Sequence, residues 1–267
     1  MSKRVLITND DGIDAPGLRV LAEAAAAHGL DVVIAAPATE ASGTSAALSA
    51  YTTDGRVILE SRDINGIPAY GVGASPSYIV VLAMLSAFGP PPDLVLSGIN
   101  RGANAGRAVL HSGTVGAALT AAAHSRPGMA VSLDVLSPVT AASGGNALAV
   151  LDTADDEARN WSTAAELVRE LLPTLIDLPK DMVLNLNVPD TPPEQVRGLR
   201  QASLASFGQV QMAVAESGED FVRTAVEQSR ERAEKGTDLA WLSDGYATLT
   251  AIRPLNEVAD LDLSRPA

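Results

Sequence analysis

The sequence predicts an α/β protein built on a mostly parallel sheet, and three features carry that expectation. Val5, Leu6 and Ile7 form an apolar run without alternation that stops at Asn9, Asp10, Asp11 and Gly12, the pattern of a strand buried on both faces and then a turn. Leu18 to His28 sets leucines and alanines at helical spacing ahead of Gly29, and Leu30 to Ala36 reads as a second apolar strand. Strand, helix and strand make a βαβ unit whose strands run parallel, with a right-handed crossover. Open sheets of this kind place ligands beyond the carboxyl ends of their strands, which is where Asp10 and Asp11 fall.

The 267 residues, 46% of them hydrophobic, suffice for one large domain or one domain with an appendage. A formal net charge of −13 argues against wrapping nucleic acid or resting on an anionic membrane, because both reward a basic face. A small phosphorylated ligand stays compatible if a cation mediates. The absence of cysteine excludes disulfides, thiolate metal sites and cysteine nucleophiles, leaving oxygens and three histidines as metal ligands. After MSKR the chain enters its first strand without an apolar signal segment. No stretch is long and apolar enough to span a bilayer, so the expected location is cytoplasmic.

The remaining elements follow in order. Asp14 is expected to cap the first helix, with Pro16 in its first turn. The small-residue loop after Pro37, which carries Ser42 and Gly43, opens on the same edge as the paired acids. Arg56 to Glu60 and Ile67 to Val72 alternate around Asn65 and Gly66 and read as a hairpin. Ser75 and Pro76 open a helix expected to run through Phe88, and Asp93 to Leu96 is a further buried strand. Asn100 closes that strand, and Gly98, Gly102 and Gly106 allow the backbone to approach a ligand closely. Ser112, Gly113 and Thr114 then open an alanine-rich helix, whose free N–H groups and dipole suit an anion such as phosphate. The stretch is neither a Walker loop nor a G-x-G-x-x-G fingerprint.

Met129 to Leu133 reads as a strand, and Val135 to Asn160 as a mobile insertion with a solvated acidic run Asp155, Asp156 and Glu157. Ser162 is expected to cap a helix to Ile176, and Met182 to Val188 is another strand. From Val196 the character changes. Alternating stretches near Leu199 to Val214 and Ala247 to Ile252 flank a charged segment, Arg223 to Lys235, that reads as helical. Residues 1–190 are therefore expected to form the catalytic core and residues 191–267 a β-rich extension, an arm for oligomerisation whose last strand returns to the core.

Two carboxylates held about 4 Å apart repel by roughly 4 kcal/mol at an effective dielectric near 20. A bound cation offsets that repulsion, and so does keeping one carboxyl protonated. An ordinary turn with an N-cap gives the same residue pattern, as does a small-residue helix packed tightly on the sheet. Of the histidines, His28 and His124 sit at helix ends and read as structural. His111 immediately precedes the proposed anion cradle and is a candidate donor to a leaving group.

VLITNDDGIDAPG, VVIAAP followed by ASG, DLVLSGIN, SGTVGAA, LNLNVP and GTDLAWLSDGYATLT, in that order, resemble the survival protein E (SurE) family of metal-dependent nucleotidases. The resemblance covers most of the chain. It implies a Rossmann-like three-layer core, a C-terminal arm that can exchange between subunits of a homodimer or homotetramer, and hydrolysis of nucleoside 5′- and 3′-monophosphates. It further implies one divalent cation, Mg²⁺ or Mn²⁺, on Asp10, Asp11, Ser42 and Asn100, and an anion pocket from Asn9, Gly43, Asn104, Ser112, Gly113 and Thr114, with His111 beside it. The family often has tyrosine at the position of His111 and aspartate at that of Tyr78, departures that bear on the sugar and base more than on the phosphate.

The expected chemistry is metal-activated water attacking a phosphomonoester, with Asp10, Asp11 and Asn100 as the catalytic set. An aspartyl-phosphate on Asp10 is a rival route, although such phosphatases typically carry D-x-D rather than adjacent acids. A phosphatase of a specialised biosynthetic metabolite and a non-catalytic nucleotide-binding homologue are the alternative functions.

Overall fold

The structure is a computed structural model and describes residues 2–135, 153–208, 210–218, 220–228 and 233–254. β1 (Arg4–Thr8) leads through α1 (Pro16–Ala27) to β2 (Asp31–Pro37). Two short strands, β3 (Thr52–Thr53) and β4 (Arg56–Val57), precede the hairpin of β5 (Leu59–Ile64) and β6 (Ile67–Val72). Asn65 and Gly66 turn that hairpin, both with positive φ, which is the requirement of a two-residue primed turn. Next come α2 (Pro76–Met84), β7 (Leu94–Arg101), α3 (Gly113–Ala123) and β8 (Gly128–Asp134). α4 (Trp161–Ile176), β9 (Val183–Pro189) and β10 (Leu199–Gln201) follow. The chain continues as β11 (Val210–Ser217), β12 (Val222–Gln228), α5 (Asp238–Ser243) and β13 (Ala247–Ile252).

Among the described residues, nine strands form one sheet in the order β10-β13-β9-β8-β7-β1-β2-β6-β5, in which only β5 against β6 and β13 against β9 run antiparallel. Residue alternation along β1 divides the core. Val5 and Ile7 pack under α1 and α4 with Leu18, Leu21, Val168 and Leu172. Leu6 faces the opposite layer, where Ile79 and Val80 of α2 meet Ala117 and Ala121 of α3. Because β1 is flanked by β2 on one side and β7 on the other, the chain reverses its direction of sheet growth beside β1, and a crevice opens at the carboxyl ends of β1 and β7.

Several expectations are corrected. Asp14 does not cap α1: Ala15 holds the N-cap position, and the exposed Asp14 pairs with Arg62 at 2.5 Å. Ser162 lies inside α4, since Asn160 precedes the first turn and gives its backbone and side-chain N–H groups to Asp190. α2 ends at Met84, and Phe88 folds back into the core against Tyr70. The charged segment from Arg223 is a strand as far as Gln228, because β-branched residues at alternate positions pair with β11. Most of the stretch read as a mobile insertion, residues 136–152, lies outside the described residues. Its acidic run splits: Glu157 is exposed, whereas Asp156 is nearly buried between Arg101 and Arg159. Among the described residues, no helix is long and apolar enough to cross a membrane.

Candidate active site

Three chain segments converge at the crevice. The first is the turn after β1. Gly12 has a φ of 104°, a conformation that L side chains rarely adopt, and the side chain of Asn9 closes the turn by accepting from Gly12 N–H at 3.2 Å and donating to its carbonyl at 3.0 Å. Asn9 is thereby buried as a turn-forming residue. The turn presents Asp10, only 5% exposed, and Asp11, half-buried, side by side.

The second segment is the start of α3. Ser112 caps it, accepting from Val115 N–H at 3.1 Å. The Thr114 hydroxyl donates to Asp10 Oδ1. A Cβ at Gly113 would lie 2.8 Å from Asp10 Oδ2 and 3.0 Å from Thr44 Oγ1, and one at Gly116 would lie 2.3 Å from the Ser45 carbonyl. These two glycines let the helix, the acid pair and the loop after β2 share one volume. The loop is tied down as well: Ala41 N–H donates to the Asp10 carbonyl at 2.8 Å, and the Thr44 hydroxyl to the Ala41 carbonyl at 2.9 Å. Ser42 is exposed and donates to Glu40 at 2.7 Å rather than to the acid pair, and Gly43 is exposed beside it with a φ of 74°.

The third segment is the end of β7, where the register against β8 shifts between Ser97 and Asn100 and re-aims the strand. Arg101 N–H donates to Asp11 Oδ2 at 3.2 Å, so the adjacent Asn100 stands beside the acids. The Asn100 amide nitrogen is engaged by the Gly102 carbonyl at 2.7 Å, which leaves its oxygen as the atom suited to a cation.

Asn104 is anchored through both backbone groups and its side-chain amide nitrogen. Its N–H donates to Asn187 Oδ1 at 2.8 Å, its side chain to Ser132 Oγ at 2.9 Å, and its carbonyl accepts from Asn185 and Asn187 at 2.8 and 3.0 Å. His111 is exposed at the end of the 3₁₀ turn Gly106–His111, directly before Ser112. Sequence reasoning missed Ser132, Asn185 and Asn187. Asparagines alternating with leucines in a strand otherwise read as buried were the available signal. It also missed Asp238, whose buried carboxylate accepts from Gly106 N–H at 2.7 Å, Ala205 N–H at 2.9 Å and its neighbour Leu239 N–H at 2.8 Å, pinning the glycine-rich loop to the C-terminal segment.

Burial pushes Asp10 above the ordinary carboxylate range, against the opposing hydrogen bonds from Thr114 and the first N–H groups of α3. Asp11 is pushed up to about 7, first by burial and then by the charge of Asp10, with Arg101 N–H opposing. The Arg101 charge opposes this, but it is outweighed by burial and by the charge of Asp10. Among the described residues no third Asp, Glu, His or Cys joins the pair, so any further ligands would be neutral oxygens of the kind Ser42 and Asn100 offer. Two carboxylates with amide and hydroxyl oxygens suit a hard divalent cation. An anion held against that cation would meet the start of α3, whose first N–H groups already face Asp10.

The family described as Survival protein SurE matches residues 5–211 of this chain. The chain is 32% identical over 254 residues to a 5′-nucleotidase SurE of Aeromonas hydrophila, covering 93% of this chain and 91% of that protein. It is 34% identical over 254 residues to a 5′-nucleotidase SurE of Xanthomonas campestris, covering 93% and 89%. A SurE protein crystal structure from Aquifex aeolicus superposes with a TM-score of 0.67 at 28% identity, over 94% of this chain and 93% of that one.

Proposed function

This chain belongs to the SurE family, and from that premise we propose that it is a divalent-cation-dependent phosphomonoesterase that hydrolyses nucleoside 5′- and 3′-monophosphates. The observation that carries the reading is the buried acid pair Asp10 and Asp11, destabilised in its charged form, at the crevice where β1, β7 and the start of α3 meet.

Asp10, Asp11, Ser42 and Asn100 would hold Mg²⁺ or Mn²⁺, which when bound neutralises phosphate charge and raises the acidity of water. For Ser42 this requires its hydroxyl to leave Glu40. Asp11, the more exposed acid, orients the attacking water and takes its proton on a carboxylate oxygen. Asp10 is held by Thr114 and closely packed against Gly113, which suits a ligand and disfavours a nucleophile attacking phosphorus. Ser112, Gly113 and Thr114 hold phosphate oxygens as charge develops, Gly43 leaves room for the ester, and Asn104 fixes the loop opposite. His111, exposed at the mouth, donates a proton to the departing oxygen. Residues 1–190 form the catalytic unit, and residues 191–267 join copies of the chain into a homodimer or homotetramer, to be read by light scattering.

A phosphate-release panel over 5′- and 3′-nucleotides, sugar phosphates and short polyphosphate, with several cations, tests the proposal. Turnover of nucleotides that requires added Mn²⁺ or Mg²⁺ and disappears in Asp11→Ala supports it. Turnover by Asp11→Ala at the wild-type rate overturns it, and activity confined to a non-nucleotide phosphate reassigns the substrate.

A further inference from the structure

Behind the acid pair lies a chain of buried charges that the hydrolytic reading does not use. Arg101 Nη1 donates to Asp156 Oδ2 at 2.8 Å, Arg159 Nε donates to Asp156 Oδ1 at 3.0 Å, and Arg159 Nη1 reaches Asp190 Oδ2 at 3.3 Å. All four side chains are between 9% and 14% exposed. Asp156 is held by more than its own charge. Its carbonyl accepts from Trp161 Nε1 at 2.6 Å, and Trp161 is packed against Gly17, where a Cβ would approach its ring to 3.0 Å and the Ile99 carbonyl to 2.2 Å. Asp190 is fixed in turn by both N–H groups of Asn160.

Arg101 belongs to two systems at once. Its backbone N–H is bonded to Asp11, while its guanidinium is drawn onto Asp156 and its buried Nε has no partner among the described residues. The Arg101 charge is near enough to act on Asp11, and a bidentate pair between guanidinium and carboxylate would be a strong one. Such a pair would occupy the oxygens that a cation needs.

We propose that Asp156 is a positioning residue that holds the Arg101 guanidinium off Asp11, keeping the acid pair open to a divalent cation. The inference rests on the cation site of the proposed function and adds a determinant of its affinity. It follows from competition: one carboxylate captures the arginine so that another can capture the metal. Groups in contact with a metal site's surroundings commonly alter affinity by 10–100-fold. Asp156→Asn is therefore expected to weaken Mn²⁺ binding by about tenfold, because the released guanidinium turns to Asp11.

The experiment is Mn²⁺ titration of the full-length protein, without substrate, by calorimetry or by the electron paramagnetic resonance of free Mn²⁺, with circular dichroism reporting folding. Four proteins are compared: wild type, Asp156→Asn, Arg101→Met and the double variant. Arg101→Met keeps the backbone N–H and removes the competing cation, so it is expected to bind Mn²⁺ at least as tightly as wild type and to restore affinity in the Asp156→Asn background. Equal affinity of wild type and Asp156→Asn overturns the inference. So does a double variant as weak as Asp156→Asn alone, since that loss would not run through the arginine. Should Asp156→Asn fail to fold, Asp156→Glu moves the anchor by one methylene with its charge kept. A several-fold loss that Arg101→Met reverses supports the inference, and affinity equal to wild type overturns it. If wild type binds no Mn²⁺, the proposed function fails first, and the two failures are distinguishable.

Discussion

The hydroxyl of Thr114 is hydrogen-bonded to Asp10 Oδ1 across 104 residues of sequence, so the first turn of α3 is fastened to the end of β1 through one carboxylate of the buried acid pair. A hydrogen bond to a charged, buried group contributes about 1.5–3 kcal/mol. Thr114→Val is expected to lose about that much stability by urea denaturation and to reduce kcat strongly, while Thr114→Ser retains most of both. Equal stability of the valine variant would show that the contact carries no energy.

The acid pair makes the stability of the fold depend on pH. Asp11 has an ordinary value of 3.8 and is pushed up to about 7 in the folded chain, and Asp10 shifts in the same direction. A carboxyl raised in the folded state binds its proton more tightly there than when unfolded. Its contribution is therefore fully present below about pH 4 and is lost as pH rises toward 7. Without divalent cation, the Tm of wild type minus that of Asp11→Asn is expected to fall from pH 4.5 to 7.5. Saturating Mn²⁺ should reverse the slope, because cation binding displaces the proton and tightens as pH rises.

Gly116 is expected to tolerate no side chain. A Cβ there would stand 2.3 Å from the Ser45 carbonyl, so Gly116→Ala must push the loop carrying Ser42 away from α3. Overpacking of this kind costs about 1–3 kcal/mol, and here it should also lower Mn²⁺ affinity in a titration. Gly29→Ala is the control. Its φ of 88° makes it strained, but nothing lies within 4 Å of its Cβ, so stability should fall while cation affinity holds.

Asp238 links the glycine-rich loop to the C-terminal segment through two N–H groups distant in sequence and one from its neighbour. Asp238→Asn exchanges an acceptor oxygen for a donor facing those N–H groups. A loss of about 3 kcal/mol is expected by thermal or urea melting. Faster amide hydrogen exchange at Gly106 should accompany it, and unchanged exchange would place the restraint elsewhere.

Much of the fold was legible where the hydrophobic pattern decides structure. Val5 to Ile7 and Met129 to Leu133 are apolar on successive residues because helices cover both faces of the sheet, and nothing else in the chain competes for that reading. Local chemistry succeeded at Ser75 and Ser112, whose hydroxyls do cap their helices. It failed at Asp14, whose side chain is taken by the distant Arg62, and at Ser162, because the helix already starts at Trp161 after Asn160, which Asp190 holds. Arg223 to Gln228 misled for a related reason: its charges suggest a helix, and only pairing with β11 reveals a strand. At the site, Asp10 and Asp11 announced themselves by adjacency. Asn187 and Asp238 act through backbone groups at Asn104 and Gly106, a relationship that no spacing in the sequence encodes.

β13 lies between β9 and β10, although it follows both in the chain. During synthesis, β9 therefore leaves the ribosome with one flank exposed and waits for a later segment, about sixty residues downstream, to dock against it. Asn185 and Asn187 ride on that waiting strand. A nascent chain arrested before Ala247 would thus carry the paired acids on a sheet missing the strand beside its asparagine buttress, with the unpaired flank of β9 open to adventitious strand pairing.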